Sequence, residues 1–428
     1  MTARPTAREK AKAEPRLTRA IAETALGPVV HRWLLALEQY VAYFDDGDTA
    51  FLYCARAGVR IRRLFDLHCA GRGVSLGSHH GMLWSSRLGL CKALFDRQTD
   101  RASALIAKEY YHHPLRDLVQ SLLRNAPEAL AGLDLDTADL DAHGHQFPGW
   151  ILSDFPAARA LRESFAESGA AFETLFQGLT GEARRVVLID SGWQGTSQSL
   201  LASAYPETEF QGLYVGRILT ENHDPAIADR VIGLLFQAEA YDPDRPETAL
   251  VLHRHLIEAL LEPGGPSIEE VPGGPCAAAA RAQIAACAGE KPSRARDGLF
   301  LEVERYIKAR AKDTPAEIAA AARAALPRLA RMLVHPTREE ALALRGKDRS
   351  ADFGKDVMVP VLVTRPDADR PEQADAHARI AHALWPQGQV ALEYEGRLRR
   401  EIQRQVTGLT DTASYFDPGA APASASAT

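Results

Sequence analysis

The residues best suited to chemistry are concentrated in one stretch of the sequence, residues 186–201, which reads VVLIDSGWQGTSQSLL. An apolar run ends at Asp190, whose carboxylate could bind a metal ion or a sugar hydroxyl, or act as a base. Gly192 and Gly195 allow a sharp turn and a close approach of a ligand to the main chain. The predicted helix that follows would present free amides, which suit a phosphate or another anion.

This pattern predicts a ligand site at a strand–loop–helix turn, with Asp190 as the candidate catalytic residue. Thr196 and Ser197 could cap the helix, and Trp193 could either stack on a sugar or base or cover the helix. The alternative is a tight turn in which Asp190 and the serines only cap a helix. The candidate ligand-binding residues of the loop are Ser191, Gly192, Trp193, Gln194, Gly195, Thr196 and Gln198.

Two more predicted strands end in polar residues. The segment FLYCARAG places Arg56 and Gly58 at a strand end, and WSSR places Ser86 and Arg87 after a short apolar run. An arginine at such a position can hold a phosphate or carboxylate as a two-pronged donor. If these strands are neighbours of the strand that ends at Asp190, all three ends form one cleft. The arginines at positions 60, 62 and 63 fit a solvated basic helix face equally well.

The elements that would position these residues alternate between strand and helix. This alternation predicts an α/β fold with a mainly parallel, Rossmann-like sheet. A helical insertion is expected at about residues 100–180, and a Pro- and Gly-rich boundary follows at 261–276. The predicted strands lie within residues 49–58, 81–85, 186–189, 209–218 and 230–237.

The expected domain organisation has four parts. Residues 1–16 form a flexible tail, 17–262 the α/β domain, 277–412 a mainly helical C-terminal region, and 413–428 a disordered tail. Within the C-terminal region, VMVPVLVT at 357–364 could form a late strand, and Pro315 and Pro327 punctuate the helices.

Composition excludes several classes of protein. A net charge of -6 argues against a nucleic-acid partner, which a basic excess would favour. The five cysteines are widely spaced, as in a cytoplasmic protein with reduced thiols. The sequence contains no apolar run long enough for a transmembrane helix, and its basic N-terminus lacks the apolar core of a secretory signal.

Two histidine pairs raise the question of a metal. His143 and His145 follow a series of aspartates, and His253 and His255 precede Glu258. Histidine and carboxylate groups are common metal ligands. A polar loop explains the aspartate series equally well, so no metal ligand is assigned.

Two enzyme classes have loops similar to residues 186–201. The loop resembles the phosphate-cradling loop of phosphoribosyltransferases, with one acid, Asp190, where those enzymes usually have two. It also resembles the first motif of haloacid-dehalogenase phosphatases, in which Asp190 would be the nucleophile. Gly192 stands where that motif has its second aspartate, so the phosphatase resemblance is the weaker one.

A broader resemblance rests on several stretches in a fixed order. Together they resemble the region that follows the hydrolase domain in predicted haloacid-dehalogenase-superfamily proteins of bacterial surface-polysaccharide gene clusters. Its most specific part is the loop that contains Asp190, Trp193 and Gln198. Ala57 stands where that family usually has an aspartate, and Leu88 where it has an arginine. The stretches are LGPVV, FLYCARAG, WSSR, LIDSGWQGTSQ, HLIEALLEPGGPS, HPTREEALALRG and LWPQG.

The resemblances imply a ligand as well as a fold. We expect a phosphorylated sugar or nucleotide-sugar, bound with Asp190 on the sugar hydroxyls directly or through Mg²⁺ and with Arg56 and Arg87 on the phosphate. Glycosyl or phosphosugar transfer in surface-polysaccharide biosynthesis would follow. One alternative is a non-catalytic ligand-binding or scaffold module that partners a glycosyltransferase or a hydrolase. Another is a haloacid-dehalogenase-type phosphatase.

Overall fold

The computed structural model describes residues 15–77, 79–219, 224–350, 358–363 and 375–409. Nearly all of the predicted N-terminal tail and the whole of the predicted C-terminal tail lie outside these residues.

A sheet of five parallel strands is at the centre of the structure. The strand order is β2-β1-β3-β4-β5, which confirms the predicted α/β, Rossmann-like class. Strands covered on both faces read as nearly continuous apolar runs, and the runs at 49–54 and 185–190 follow that rule. The strands are β1 Thr49–Cys54, β2 His80–Leu83, β3 Arg185–Asp190, β4 Glu209–Ile218 and β5 Val231–Ala238.

Helices cover both faces of the sheet. The helices of the first half are α1 Gly27–Phe44, α2 Gly58–Arg72, α3 Arg87–Ala93, α4 Thr99–Glu109, α5 Leu115–Leu122, α6 Pro127–Ala131, α7 Phe147–Trp150, α8 Pro156–Thr180, α9 Thr196–Ala204 and α10 His255–Leu261. A π-helical turn, Ala22–Leu26, leads directly into α1. Helices α4 to α8 lie between β2 and β3 in the chain, where the helical insertion was predicted.

The two faces of the sheet bury different side chains because successive residues of a strand point in opposite directions. Phe51 and Tyr53 of β1 belong to a core shared with α1 and α2. Ala50 and Leu52 belong to a second core, shared with the insertion helices and α9. The sheet is therefore the middle layer of three.

The C-terminal region is helical, as predicted. It contains α11 Ala277–Ala288, α12 Arg294–Arg310, α13 Pro315–Val334, α14 Arg338–Leu344, α15 Ala376–His382, α16 Pro386–Glu393 and α17 Gly396–Leu409. Phe300, Leu329 and Trp385 of this region are buried in the same core as α1 and α2, so the Pro- and Gly-rich stretch does not separate two cores. Pro327 lies within α13 without ending it.

The late strand predicted at 357–364 is much shorter in the structure. Only β7, Met358–Val359, forms there, and it pairs with β6, Arg349–Ser350, away from the central sheet. Both ends of the predicted strand, at 357 and 364, lie outside the described residues.

All five cysteines are buried and free. Within the described ranges, the helices are too short or too polar to span a bilayer.

Candidate functional site

The carboxyl ends of β1, β2 and β3 meet at one edge of the sheet and form a cavity of about 370 Å³. This edge is where open α/β sheets bind ligands. Arg56, Arg87 and Asp190 all line the cavity, because their strands are direct neighbours in the order β2-β1-β3. The other predicted site residues that line it are Ser86, Ser191, Gly192, Trp193, Gln194, Gly195 and Thr196.

Asp190 ends β3 and is the acid at the centre of this arrangement. Its Oδ1 accepts a hydrogen bond of 2.7 Å from the backbone amide of Ser191. The pKa of Asp190 is raised to about 7, mainly by burial and also by the negative charges of Glu262 and Glu258, while the Ser191 amide and Arg87 oppose the rise. An acid whose pKa lies near neutrality can give or take a proton at physiological pH.

Gly195 makes the turn from the loop into α9. Its φ of 71° is left-handed, and a Cβ there would lie 2.8 Å from Val231 Cγ2, so a glycine is required. Thr196 is the first residue of α9 and no side chain caps the helix, so the predicted capping by Thr196 and Ser197 is wrong. Both residues line the cavity, next to the amides that the first turn of a helix leaves without an intrahelical acceptor.

Arg56 is held by the loop after α10. Its Nη2 donates to Glu262 Oε2 at 2.9 Å and its Nη1 to the Gly265 carbonyl at 2.8 Å. The guanidinium fork predicted for a phosphate is thus already paired, and an anion would have to share it with Glu262. The Ala55–Arg56 peptide bond is cis.

Ser86 and Arg87 begin α3. Ser86 Oγ accepts a hydrogen bond of 3.2 Å from the Gly89 amide and caps the helix. Arg87 is exposed and lines the cavity, so its guanidinium is accessible to a ligand from solvent.

Two predicted ligand-binding residues are not part of the cavity lining. Gly58 packs against the main chain of Tyr53, where a Cβ would lie 2.7 Å from the carbonyl carbon. The Gln198 side chain is fully buried and bridges two strands: its Nε2 donates to the Phe210 and Arg230 carbonyls, and its Oε1 accepts from the Tyr214 hydroxyl at 3.1 Å. Gly58 lies at the turn from β1 into α2 and Gln198 at the turn from β3 into α9, and both are packed inside the molecule.

Trp193 has its indole buried in the molecule. The ring stacks against Phe236 with 6.2 Å between centroids, and its Nε1 donates to Glu258 Oε1 at 3.0 Å. Trp193 is 5% exposed, so little of its surface is open to a sugar or base.

Part of the cavity wall consists of residues that were not predicted from the sequence. Lys108 and Glu109 come from the end of α4, and Arg254, Glu258 and Glu262 from α10 and its flanks. Glu258 and Glu262 are four residues apart, a spacing that places side chains on one face of a helix and that could have indicated them. Nothing in the local sequence links α4 to this edge of the sheet.

The sequence raised the two histidine pairs as possible metal ligands. Among the described residues, no group of three or more His, Cys, Asp or Glu side chains is arranged to hold a metal ion. His253 lies flat on Trp385 with 4.2 Å between ring centroids, and its Nε2 bonds the Leu344 carbonyl. His255 bonds Glu258, and the rings of His143 and His145 lie 6.0 Å apart.

The charge of the cavity is mixed. Four cationic side chains line it, Arg56, Arg87, Lys108 and Arg254, together with four carboxylates, Glu109, Asp190, Glu258 and Glu262. Such a lining suits a ligand that carries both an anionic group and several hydrogen-bond donors.

Comparison of the sequence with protein-family models and with curated proteins gives no match in either case.

Proposed function

We propose that the cavity binds a phosphorylated sugar or nucleotide-sugar. The observation that supports this most directly is the joint placement of Arg87, Asp190 and the start of α9 around one cavity. A phosphate needs cationic and amide donors, whereas sugar hydroxyls need acceptors such as carboxylates. The cavity supplies both.

In this proposal, cationic side chains and backbone amides bind the phosphate, and a carboxylate binds the sugar. The backbone amides of Thr196 and Ser197, in the first turn of α9, donate hydrogen bonds to the phosphate. The charges of Arg87 and Lys108 neutralise it. Asp190 accepts hydrogen bonds from the sugar hydroxyls. The contact of Asp190 is direct or runs through Mg²⁺, which proteins commonly hold with one or two carboxylates together with the phosphates of the ligand.

The same arrangement is suited to group transfer. With a pKa near 7, Asp190 can take the proton of an attacking hydroxyl as that oxygen bonds to the transferred sugar or phosphosugar. The bond from the transferred group to its phosphate leaving group breaks in the same step, and Arg87 and Lys108 hold the departing phosphate. The resemblance to proteins of surface-polysaccharide clusters makes glycan assembly the proposed setting, with a glycosyltransferase or hydrolase as the proposed partner.

The second candidate is a module that binds the same ligand without turnover. Ala57 favours it, because this residue lines the cavity at the start of α2, where the family that the sequence resembles usually has an aspartate. A phosphatase is less favoured, since Gly192 supplies no second acid beside Asp190.

Isothermal titration calorimetry tests the binding proposal. We expect ribose 5-phosphate or UDP-glucose to bind the wild-type protein, and ribose and glucose to bind far more weakly. The Arg87→Gln variant should weaken binding by about tenfold to hundredfold, the usual effect of losing a hydrogen bond to a charged group. The matched control, Arg328→Gln, removes an exposed arginine of α13 outside the cavity and should bind as the wild type does. Equal affinity for phosphorylated and unphosphorylated sugars would refute the proposal.

Turnover separates the two candidates. If the protein is a transferase, Asp190→Asn retains binding and abolishes product formation from a bound sugar phosphate. If it is a binding module, wild type and variant both bind and neither forms product over long incubations with acceptor sugars.

A further inference from the structure

We infer that Glu258 selects the sugar part of the ligand, and that Trp193 and His255 are positioning residues that hold Glu258 for this task. The inference rests on the proposed function, since it assumes that a phosphorylated sugar occupies the cavity. It adds a residue outside the Asp190 loop and assigns an orientation to the ligand.

The first support is that both oxygens of Glu258 are held. Oε1 accepts a hydrogen bond of 3.0 Å from Trp193 Nε1, and Oε2 lies 2.8 Å from His255 Nδ1. An ionised carboxylate can only accept, so His255 donates from Nδ1. His255 lies three residues before Glu258 on α10, the spacing at which helical side chains meet.

Both residues that bond Glu258 are themselves buried. Trp193 is 5% exposed and His255 is 7% exposed, and the Trp193 ring is packed against Phe236. Trp193 belongs to the loop after β3 and Glu258 to α10, so this contact joins the Asp190 loop to the opposite wall. The side chain of Glu258 remains 15% exposed, and the residue lines the cavity.

Such a carboxylate recognises hydrogen-bond donors. A carboxylate accepts hydrogen bonds and cannot donate them, and the fixed orientation of Glu258 reduces the entropy lost on binding. Hydroxyl groups of a sugar fit this requirement, and a phosphate does not. The phosphate therefore lies toward Arg87, Lys108 and the start of α9, and the sugar lies toward α10.

Glu258 also acts on Asp190 through its charge. The groups that act on Asp190 are Glu258 and Glu262 from the α10 side, Arg87 from α3, and the Ser191 amide. Cys54 and Tyr214 are buried close to it and feel its charge. Removing the charge of Glu258 should lower the pKa of Asp190, and the pH range in which Asp190 ionises should move down with it.

The test compares two probes on the same variants. Calorimetry measures the affinity of ribose 5-phosphate and of inorganic phosphate for wild type, Glu258→Gln and Trp193→Phe. We expect Glu258→Gln to weaken the binding of ribose 5-phosphate about tenfold or more and to change the affinity for inorganic phosphate less than twofold. Trp193→Phe removes the indole donor. It should lower the ratio of ribose 5-phosphate affinity to phosphate affinity by a smaller factor than Glu258→Gln does. Glu304→Gln is the matched control, because the Glu304 side chain is 16% exposed and pairs with Arg63 outside the cavity.

A structural role alone would not change the ratio between the two probes. Thermal unfolding verifies that each variant is folded. Glu258→Gln keeps the shape of the side chain, so it still tests the inference if Trp193→Phe does not fold. Carbon-13 NMR of the Asp190 carboxyl should show a lower pKa in Glu258→Gln than in wild type. Binding of ribose 5-phosphate with an unchanged affinity ratio in Glu258→Gln would overturn this inference alone. Failure of both probes to bind the wild type would overturn the proposed function together with the inference.

Discussion

Asp190 occupies a position that costs stability at neutral pH. Burial of its carboxyl and the charges of Glu262 and Glu258 raise its pKa from an ordinary 3.8 to about 7. The protonated form is therefore favoured by folding. Stability from this group is fully present below pH 4, where the acid is protonated in both states, and is lost as the pH rises to 7.

Asp190→Asn is thus expected to stabilise the protein in a pH-dependent manner. The gain should grow between about pH 4 and pH 7 and level off above that at about 4 kcal/mol, because the pKa rises from 3.8 to about 7 and each unit of pKa change is worth about 1.36 kcal/mol. Urea unfolding of wild type and variant across this pH range measures it. The control Asp154→Asn alters an exposed aspartate and should leave stability unchanged at every pH. A destabilised Asp190→Asn variant would show that Asp190 is a structural acid.

At the scale of elements, the turn between β3 and α9 depends on one left-handed residue. Gly195 has a positive φ and is crowded by Val231, whereas Gly47 has a φ of 82° and an added Cβ there would have no neighbour within 4 Å. The two glycines share the backbone requirement and differ in the space around them. They form a natural pair for separating these two effects.

Gly195→Ala should therefore destabilise the protein more than Gly47→Ala. We expect about 1 to 2 kcal/mol for the left-handed conformation alone at Gly47. Gly195→Ala should lower the free energy of unfolding by about 2 to 4 kcal/mol, because the added methyl group must also displace Val231. Denaturant unfolding measures both values, and calorimetry with ribose 5-phosphate should show weakened binding only for Gly195→Ala. Equal losses of stability at the two positions would argue against the close packing of this turn.

The helices and strands were largely predictable from the sequence, whereas the contacts between distant segments were not. Apolar runs and glycine turns indicated all five strands of the central sheet, because strands buried on both faces have a strong local pattern. The side chains from α4 and α10 that complete the cavity were missed, since contacts between distant segments leave little local signal. The direction of the Trp193 ring and the pairing of Arg56 with Glu262 depend on such contacts.

At the scale of the molecule, one core joins the sheet to the C-terminal helices. Val187 and Ile189 of β3 share it with Phe300 of α12 and Leu329 of α13. A buried ionic cluster lies in the same interface. Arg60, which the sequence placed on a possible solvated face, is fully buried on α2 and pairs with Glu290 and Asp297.

The Asp297 carboxylate is the centre of this cluster. Its Oδ1 lies 2.7 Å from Arg60 Nη2 and 3.1 Å from Lys347 Nζ, and its side chain is completely buried. The hydrogen bonds of Arg60 and of the Ser293 amide lower the pKa of Asp297 although burial opposes them. Asp297 therefore stabilises the fold above pH 4, and this stability is lost as the pH falls below that value.

Asp297→Asn should lower the unfolding free energy at pH 7 by about 3 to 5 kcal/mol, because it leaves the Arg60 guanidinium with reduced compensation in a buried site. Since α2 and α12 share one core, the loss should appear in a single transition for the whole chain. Denaturant unfolding followed by tryptophan fluorescence and by far-ultraviolet circular dichroism should give coincident midpoints, and ribose 5-phosphate affinity should be unchanged below the transition. Two separated transitions, with only the later residues destabilised, would mean that the C-terminal helices fold as an independent unit and that the cluster acts within it alone.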